Sequence, residues 1–193
     1  YEDADVLYNV RVARARSGAF IFVSSASFTS GETWVIDAGD PTSTPRLVAR
    51  RAPGVEYEVE HGGAWFYILT NRDGARNFKV MRAPVSAPAT WEEWLPHRPE
   101  AFVEGVDAFE GFVVVQERRD GLRQLRVTNL GMGATHDVTF PEAAYGVFLE
   151  GNLEFHTRTL RFAYTSLVTP TSVFDYDLVA MTRELRKVDE VPG

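Results

Sequence analysis

The feature that most restricts the fold of this chain is a repeated pattern of β-rich segments. Four times, a run of β-branched and aromatic residues is followed by polar residues and then by a second such run. The four units start at Phe20, Phe66, Val113 and Phe162, so successive starts lie 46, 47 and 49 residues apart. A repeat of about 40 to 50 residues built from short strands is typical of β-propellers, whose blades have four strands each.

Two further strand candidates flank each central pair. Those before the pairs are Val6–Ala15, Val55–His61, Val103–Phe109 and Tyr145–Phe155, and those after the pairs are Arg46–Arg51, Trp91–Pro96, Thr135–Phe140 and Thr182–Val188. Turn residues such as Asp120-Gly121 separate the candidates. We predict an all-β chain that forms one partial β-propeller segment of about four blades, each with four antiparallel strands. The units span about 1–52, 53–100, 101–141 and 142–193. A β-sandwich with a similar number of strands is the alternative.

Composition narrows the classes of function. Hydrophobic residues make up 45% of the 193 positions, which is enough for a sizeable core. The formal net charge of −7 argues against nucleic acid as a partner. The longest apolar runs are too short to cross a membrane, so we expect no membrane partner. The chain has no cysteine, which excludes disulfides and thiolate nucleophiles and favours a cytoplasmic location. It does not begin with Met, so a signal peptide in a preceding part stays open.

A catalytic serine is the sharpest hypothesis that the motifs suggest. Arg161 to Leu178 reads "RFAYTSLVTPTSVFDYDL", in which Ser166 could be a nucleophile. However, the G-x-S-x-G pattern of a nucleophile elbow is absent from the chain. Ser24-Ser25 and Thr70-Asn71 occupy the matching place in the first two units. A polar side chain that recurs at one structural position indicates turn chemistry, so we interpret Ser166 as a turn hydroxyl.

The sequence contains no clear motif for a metal or cofactor site. The four histidines, His61, His97, His136 and His156, are scattered and lack the spacing of metal ligands. The segment "GMGATH" lacks the third glycine of a dinucleotide-binding loop, and we expect it to form a turn. We predict no cofactor, no metal and no catalytic residue in this chain.

Acidic residues recur on the predicted opening strands of the second, third and fourth units. In a propeller the opening strand is innermost and lines the central channel. The acidic residues concerned are Glu56, Glu58, Glu60, Glu104, Asp107, Glu150 and Glu154. For any one of them, a solvated sheet charge is the simpler interpretation. Together they predict a negative tunnel lining that concentrates cationic ligands and that salt weakens.

Three segments carry a resemblance to a known family. They are "FYILTNRDGARNFKVMRAP", "WEEWLPHRPEAFVEGVDAFEGFVVVQERRDGLRQLRV" and "GNLEFHTRTLRFAYTSLVTPTSVFDYDL", and the last is the most specific. The chain resembles the propeller domain of the oligopeptidase B (protease II) group in the prolyl oligopeptidase family of serine peptidases. The resemblance covers nearly the whole chain, more loosely in its first fifty residues.

The resemblance implies a role without catalysis. Members pair a seven-bladed propeller with an α/β-hydrolase domain, which carries the Ser–Asp–His triad and resumes after a segment like "KVDEVPG". We therefore expect this chain to lack about three blades and the hydrolase domain. It would be inactive alone and have that domain of the same polypeptide as its partner. The implied role is to admit short peptides, cleaved after Arg or Lys, and to exclude large proteins.

Two alternatives and one consequence remain from the sequence. The chain could be a free-standing propeller that binds a partner without any peptidase domain. A metal- or sugar-dependent enzyme rests on fold analogy alone. If the end blades expose apolar faces, we expect a dimer through the terminal units, because large apolar patches tend to be covered by association.

Overall fold

The computed structural model describes residues 2–190 of the chain. Tyr1 and residues 191–193 lie outside the described residues, and so does the end of the segment "KVDEVPG", where the sequence predicts a domain junction. The secondary structure of the described part consists of sixteen β-strands and one short 3-10 helix. This confirms the predicted all-β class.

The strands follow one another with short connections. They are β1 Asn9–Arg14, β2 Phe20–Ala26, β3 Gly31–Asp37, β4 Arg46–Ala49, β5 Tyr57–Gly62, β6 Trp65–Thr70, β7 Lys79–Pro84, β8 Glu92–Leu95, β9 Ala101–Phe109, β10 Phe112–Arg119, β11 Leu122–Asn129, β12 Thr135–Asp137, β13 Tyr145–Leu149, β14 Thr159–Ser166, β15 Ser172–Asp177 and β16 Thr182–Val188. The 3-10 helix, Arg72–Gly74, lies between β6 and β7.

The strands form four sheets of four, in which neighbours along the chain are neighbours in the sheet. The first blade is β1–β4, the second β5–β8, the third β9–β12 and the fourth β13–β16. All pairings within the blades are antiparallel. Four consecutive meanders confirm the predicted propeller blades. A sandwich of the Greek-key type would place non-consecutive strands side by side, which the sheets of residues 2–190 do not.

The chain divides into two compact units with two blades each, Tyr1–Pro99 and Glu100–Gly193. A two-residue turn in the second unit shows how local sequence sets the register. Asp120 and Gly121, between β10 and β11, have φ angles of 51° and 79°, as a type I′ hairpin turn requires. Arg119 therefore pairs with Leu122, and the ladder continues in step along both strands.

The first strand is shorter than the sequence predicts. Pairing begins at Asn9 rather than Val6. The reason is a local turn around Asp5, whose carboxylate accepts the Leu7 N–H at 3.0 Å and whose carbonyl accepts the Tyr8 N–H at 3.0 Å. An Asp side chain that bonds nearby backbone groups in this way competes with strand pairing.

The core of the first unit lies between its two blades. Its buried residues are Ala15, Phe20, Phe22, Val35 and Val48 from the first blade and Phe66, Ile68 and Ala83 from the second. The Phe66 ring meets Phe20 edge-on, with 5.0 Å between centroids. Burying each such side chain contributes roughly 1.5–3 kcal/mol.

Tyr57 adds a polar contact between the same two blades. Its hydroxyl accepts the Thr33 N–H at 2.6 Å and donates to the Ala49 carbonyl at 2.7 Å. A bulge between Thr33 and Trp34 interrupts the β3–β4 ladder there. Burial raises the pKa of Tyr57 to about 12. The neutral hydroxyl therefore supplies the partners that the interrupted ladder lacks.

Aromatic side chains dominate the core of the second unit. Phe140 stacks on Tyr164 with 5.3 Å between centroids and meets Phe162 edge-on at 5.6 Å. Phe162 is fully buried, and Leu125 lies in the same core. These contacts join the third and fourth blades.

Candidate functional site

The hydroxyl-rich turn between β14 and β15 is held by its own hydrogen bonds. Ser166 Oγ accepts the N–H groups of Val168 at 3.1 Å and Thr169 at 2.9 Å. The Ser166 N–H donates to the Thr169 carbonyl at 3.0 Å. The interpretation of Ser166 as a turn hydroxyl is therefore confirmed, because its oxygen completes backbone bonding in the turn.

A carboxylate that sequence reasoning missed organises this turn. Glu142 accepts hydrogen bonds from Tyr164 Oη, from Thr169 Oγ1 at 2.6 Å and from Ser166 Oγ at 3.5 Å. A serine nucleophile of the triad type needs a histidine as base. In the described part of the chain, the side chain beside Ser166 is instead this carboxylate. Glu142 lies 24 residues from Ser166 in a loop, so no short motif pointed to it.

Each histidine has a different environment. His61 is buried, its Nδ1 accepts from Ser17 Oγ at 2.6 Å, and its Nε2 donates to the Gly63 carbonyl at 2.9 Å. Burial lowers the pKa of His61, although the Gly63 carbonyl partly offsets this effect. The contact with Ser17 ties His61 to the first blade, while burial favours the neutral ring.

The other three histidines are likewise held separately. His136 Nε2 lies 2.9 Å from Tyr176 Oη, and burial lowers the pKa of His136 despite the nearby charge of Asp137. His97 accepts a backbone N–H, and exposed His156 lies near Glu110. Among residues 2–190, no group of three or more His, Cys, Asp or Glu side chains is placed to hold a metal ion. Nor is any helix of this part long and apolar enough to cross a membrane.

The seven predicted lining residues occupy three kinds of position. Glu58 and Glu60 lie on β5, and Glu104 and Asp107 lie on β9. Glu56 directly precedes β5. Glu150 directly follows β13, and Glu154 lies in the loop before β14. That they line one channel together stays a prediction.

The predicted strand limits are wrong where Glu56, Glu150 and Glu154 were placed on strands. The side chain of Asn152 bonds the Glu150 carbonyl at 2.8 Å and the backbone of Arg161, which ends the ladder. In the second blade, Asn71 Oδ1 accepts the Glu56 N–H at 2.9 Å. Asn side chains thus replace strand pairing at both places.

The charges of the acidic residues are handled differently on β5 and β9. Glu58 is exposed and forms no ion pair among the described residues. Glu104 lies within 2.9 Å of Arg118 Nε and 2.5 Å of Arg123 Nε. Asp107 accepts a hydrogen bond from Gln116 at 3.0 Å. Nearby cations therefore compensate the charge of Glu104 but not, among the described residues, that of Glu58.

A buried ion network also lies in the third blade. Glu117 on β10 is fully buried, with Oε1 at 3.1 Å from Arg119 Nε and 3.6 Å from Arg126 Nη2. Asp137 on β12 contacts both arginines, at 2.5 Å and 3.3 Å. Burial by itself would lower the pKa of Arg119. The negative charges of Asp137 and Glu117 outweigh this effect, so the pKa of Arg119 is raised. This network stabilises the outer strands. The only sign of it in the sequence is the high density of charged residues in "QERRDGLRQLR".

Comparisons with known proteins point to one family. Residues 1–189 match the family described as "Prolyl oligopeptidase, N-terminal beta-propeller domain". Dipeptidyl aminopeptidase BI from Pseudoxanthomonas mexicana is 36% identical over 195 residues, and protease 2 from Moraxella lacunata is 29% identical over 193 residues. Both matches cover 100% of this chain, but only 27% and 28% of the relatives.

Solved structures agree in backbone geometry. Oligopeptidase B from Leishmania major superposes with a TM-score of 0.92 and 28% identity, over 100% of this chain and 29% of that one. Oligopeptidase B from Trypanosoma brucei, in a closed form with covalently bound antipain, gives 0.91 and 28% over 98% and 28%. The chain thus spans less than a third of the length of these relatives. With its four meander blades and a family match over nearly its whole length, the chain belongs to the prolyl oligopeptidase family, as a portion of its N-terminal β-propeller domain.

Proposed function

We propose that this chain is the non-catalytic propeller part of an oligopeptidase B-like serine peptidase. It works with an α/β-hydrolase domain of the same polypeptide, which supplies the nucleophile. The observation that carries this proposal is the family match over residues 1–189. The relatives that match the chain are more than three times as long as it is. The role of Ser166 as a turn hydroxyl supports it as well.

Peptidase assays test this division of labour. The purified chain is incubated with a fluorogenic peptide that ends in Arg, beside the full-length polypeptide that contains it. We expect turnover from the full-length protein only, and we expect a serine-directed inhibitor to abolish it. Turnover by the chain alone that survives repurification would contradict the proposal. An inactive full-length protein would favour the free-standing binding module.

We further propose that the propeller admits short peptides and favours those with Arg or Lys. The support is electrostatic: the chain carries a net charge of −7, and Glu58 on a first strand has no cation partner among the described residues. Clefts lined by one sign of charge raise the local concentration of ligands of the opposite sign. Because exposed charges are screened over about 8 Å at physiological salt, the preference would weaken as salt rises.

A matched pair of variants tests the charge preference in the full-length protein. Glu58→Gln removes a predicted lining charge, whereas Glu100→Gln removes an exposed charge outside the predicted lining. We expect Glu58→Gln to raise KM for a dibasic peptide roughly twofold to fivefold at low salt, and high salt to erase this change. Equal effects of the two variants would refute a specific role for Glu58.

Self-association through the terminal blades is also proposed. Phe20 and Phe22 of β2 belong to the core of the first unit, so alternation places Val23 on the opposite face. Val23 pairs with Val12 of β1. Val12 is 65% exposed, and Val10 on the same strand is 43% exposed. An open apolar sheet face of this kind favours association. Sedimentation should show a dimer of this chain that Val12→Lys dissociates, and a monomer at high concentration would contradict the proposal.

A further inference from the structure

Two guanidinium groups share one carboxylate at the start of the second unit. Glu104 is the extra residue of a bulge in β9, since Gln116 pairs with Gly105 and Glu117 pairs with Val103. Its Oε1 lies 2.8 Å from Arg118 Nη2, and its Oε2 lies 2.5 Å from Arg123 Nε. Since two cations meet one anion, the cluster keeps an excess of positive charge within a chain that is negative overall.

Backbone carbonyls hold both guanidinium groups in place. Arg118 Nη1 donates to the Gly121 carbonyl at 3.1 Å, and Arg123 Nη1 donates to the Val147 carbonyl at 3.1 Å. Arg123 thereby connects β11 with β13. Among the described residues, the Nη2 group of Arg123 has no acceptor. Donors that are fixed in advance lose less conformational freedom when they bind a ligand.

An exposed aromatic ring lies beside these donors. The Phe148 ring centroid is 4.9 Å from Arg123 Cζ, and half of the Phe148 side chain is exposed. The Arg118 side chain is 45% exposed, so solvent reaches the cluster. A planar guanidinium with free N–H groups matches a carboxylate, and an aromatic face beside it suits an aliphatic side chain.

We propose that Arg118, Arg123 and Phe148 form a binding site for the C-terminal carboxylate of a short peptide, which shares the two guanidinium groups with Glu104. The last side chain of the peptide packs on Phe148. The proposal rests on the proposed function only in taking peptides as the ligand. A site that reads a free C-terminus favours short chains, because a long or folded protein seldom presents its terminus at a chosen point.

Calorimetric titration of this chain tests the site without any catalysis. The two probes are N-acetyl-Ala-Ala-Leu with a free carboxylate and the same peptide as its C-terminal amide. We expect the acid to bind roughly tenfold more tightly than the amide, as charge-assisted hydrogen bonds would give. Equal affinity for the two probes would overturn the proposal, and so would inorganic phosphate that binds as tightly as the acid.

Three variants locate the effect. Arg123→Gln should bring the acid-to-amide ratio close to one, whereas Arg158→Gln should leave it unchanged. Arg158 belongs to the same unit, and its side chain is 70% exposed. Phe148→Ala keeps both arginines and should weaken binding of the acid roughly threefold to tenfold through lost apolar contact. A ratio that Arg123→Gln leaves unchanged, or unaltered binding by Phe148→Ala, would count against the site.

This test separates the site from the proposed function. If the acid binds more tightly and Arg123→Gln removes the difference, the site stands even where the full-length protein proves to lack peptidase activity. If the full-length protein is an active peptidase but the acid and the amide bind this chain equally, the proposed function stands and the carboxylate site fails.

Discussion

The second and third blades both open with a strand that carries acidic residues, but the two blades treat those charges in opposite ways. On β5, Glu58 is exposed and has no cation partner among the described residues. On β9, Glu104 meets two arginines, and the neighbouring β10 buries Glu117 against two more. A position on the opening strand of a blade therefore does not decide whether the charge of an acidic residue is available to a ligand.

The largest difference between the blades should follow removal of the buried carboxylate. Glu117→Gln leaves Arg119 and Arg126 with less negative charge in a partly buried position, at a cost of about 3 kcal/mol in the free energy of unfolding. Glu58→Gln, at an exposed position, should stay within about 0.5 kcal/mol of the parent. Urea denaturation measures both, and similar losses in the two variants would erase the contrast.

A smaller loss is expected for the partly exposed carboxylate on β9. Glu104→Gln should cost about 2 kcal/mol, because it removes charge-assisted hydrogen bonds and leaves Arg118 and Arg123 facing each other. The double variant Glu104→Gln with Arg123→Gln should be less destabilised than the sum of the two single variants, since the repulsion is gone. Strict additivity in the denaturation midpoints would show that the three groups do not interact.

In the fourth blade a carboxylate is held by hydroxyl groups rather than by cations. Ser166→Ala removes the acceptor of two backbone N–H groups in the β14–β15 turn. The expected loss is about 1 kcal/mol of unfolding free energy, and the rate of peptide hydrolysis by the full-length protein should not change. Loss of activity in a folded Ser166→Ala protein would restore the nucleophile hypothesis.

The smallest effect on stability concerns His61 of the second blade, whose pKa is lowered by burial. Since burial lowers the pKa of His61 in the folded chain, the unfolded chain binds a proton more readily. The resulting penalty is absent above the ordinary histidine pKa of about 6.5 and grows as the pH falls below it. Urea midpoints should decline between pH 7.5 and pH 5, and His61→Gln should reduce this decline. The control His156→Gln, at an exposed position, should retain it.

The strands were largely predictable from the sequence because their signals are local. Alternation and turn pairs such as Asp120-Gly121 act over a few residues, and they placed all four blades. Strand ends were less predictable, since the side chains of Asp5 and Asn152 compete with the ladder there. Which charged side chains pair with one another could not be predicted from the sequence. Glu104 meets partners 14 and 19 residues away, and it is the extra residue of a bulge in β9.

Family membership was predictable from the sequence of the fourth unit, whereas the role of Glu142 in the β14–β15 turn was not. Its contacts to Tyr164 and Thr169 span 22 and 27 residues and leave no periodic trace in the sequence. The same limit applies to the Arg118–Arg123 pair, whose geometry depends on β13 as well as on its own hairpin. Side-chain pairs between strands are decided by packing, which no short motif encodes.

The most direct test is NMR titration of this chain, which lacks the proposed hydrolase domain, with the basic peptide acetyl-Lys-Arg-Lys-amide. At about 20 mM salt, where screening is weak, we expect chemical-shift changes centred on Glu58 and its β5 neighbours. They should fade in high salt, disappear in Glu58→Gln and persist in Glu104→Gln. If the peptide shifts nothing on β5, or if both variants lose binding equally, then the exposed Glu58 does not attract cationic ligands more than the paired Glu104 does.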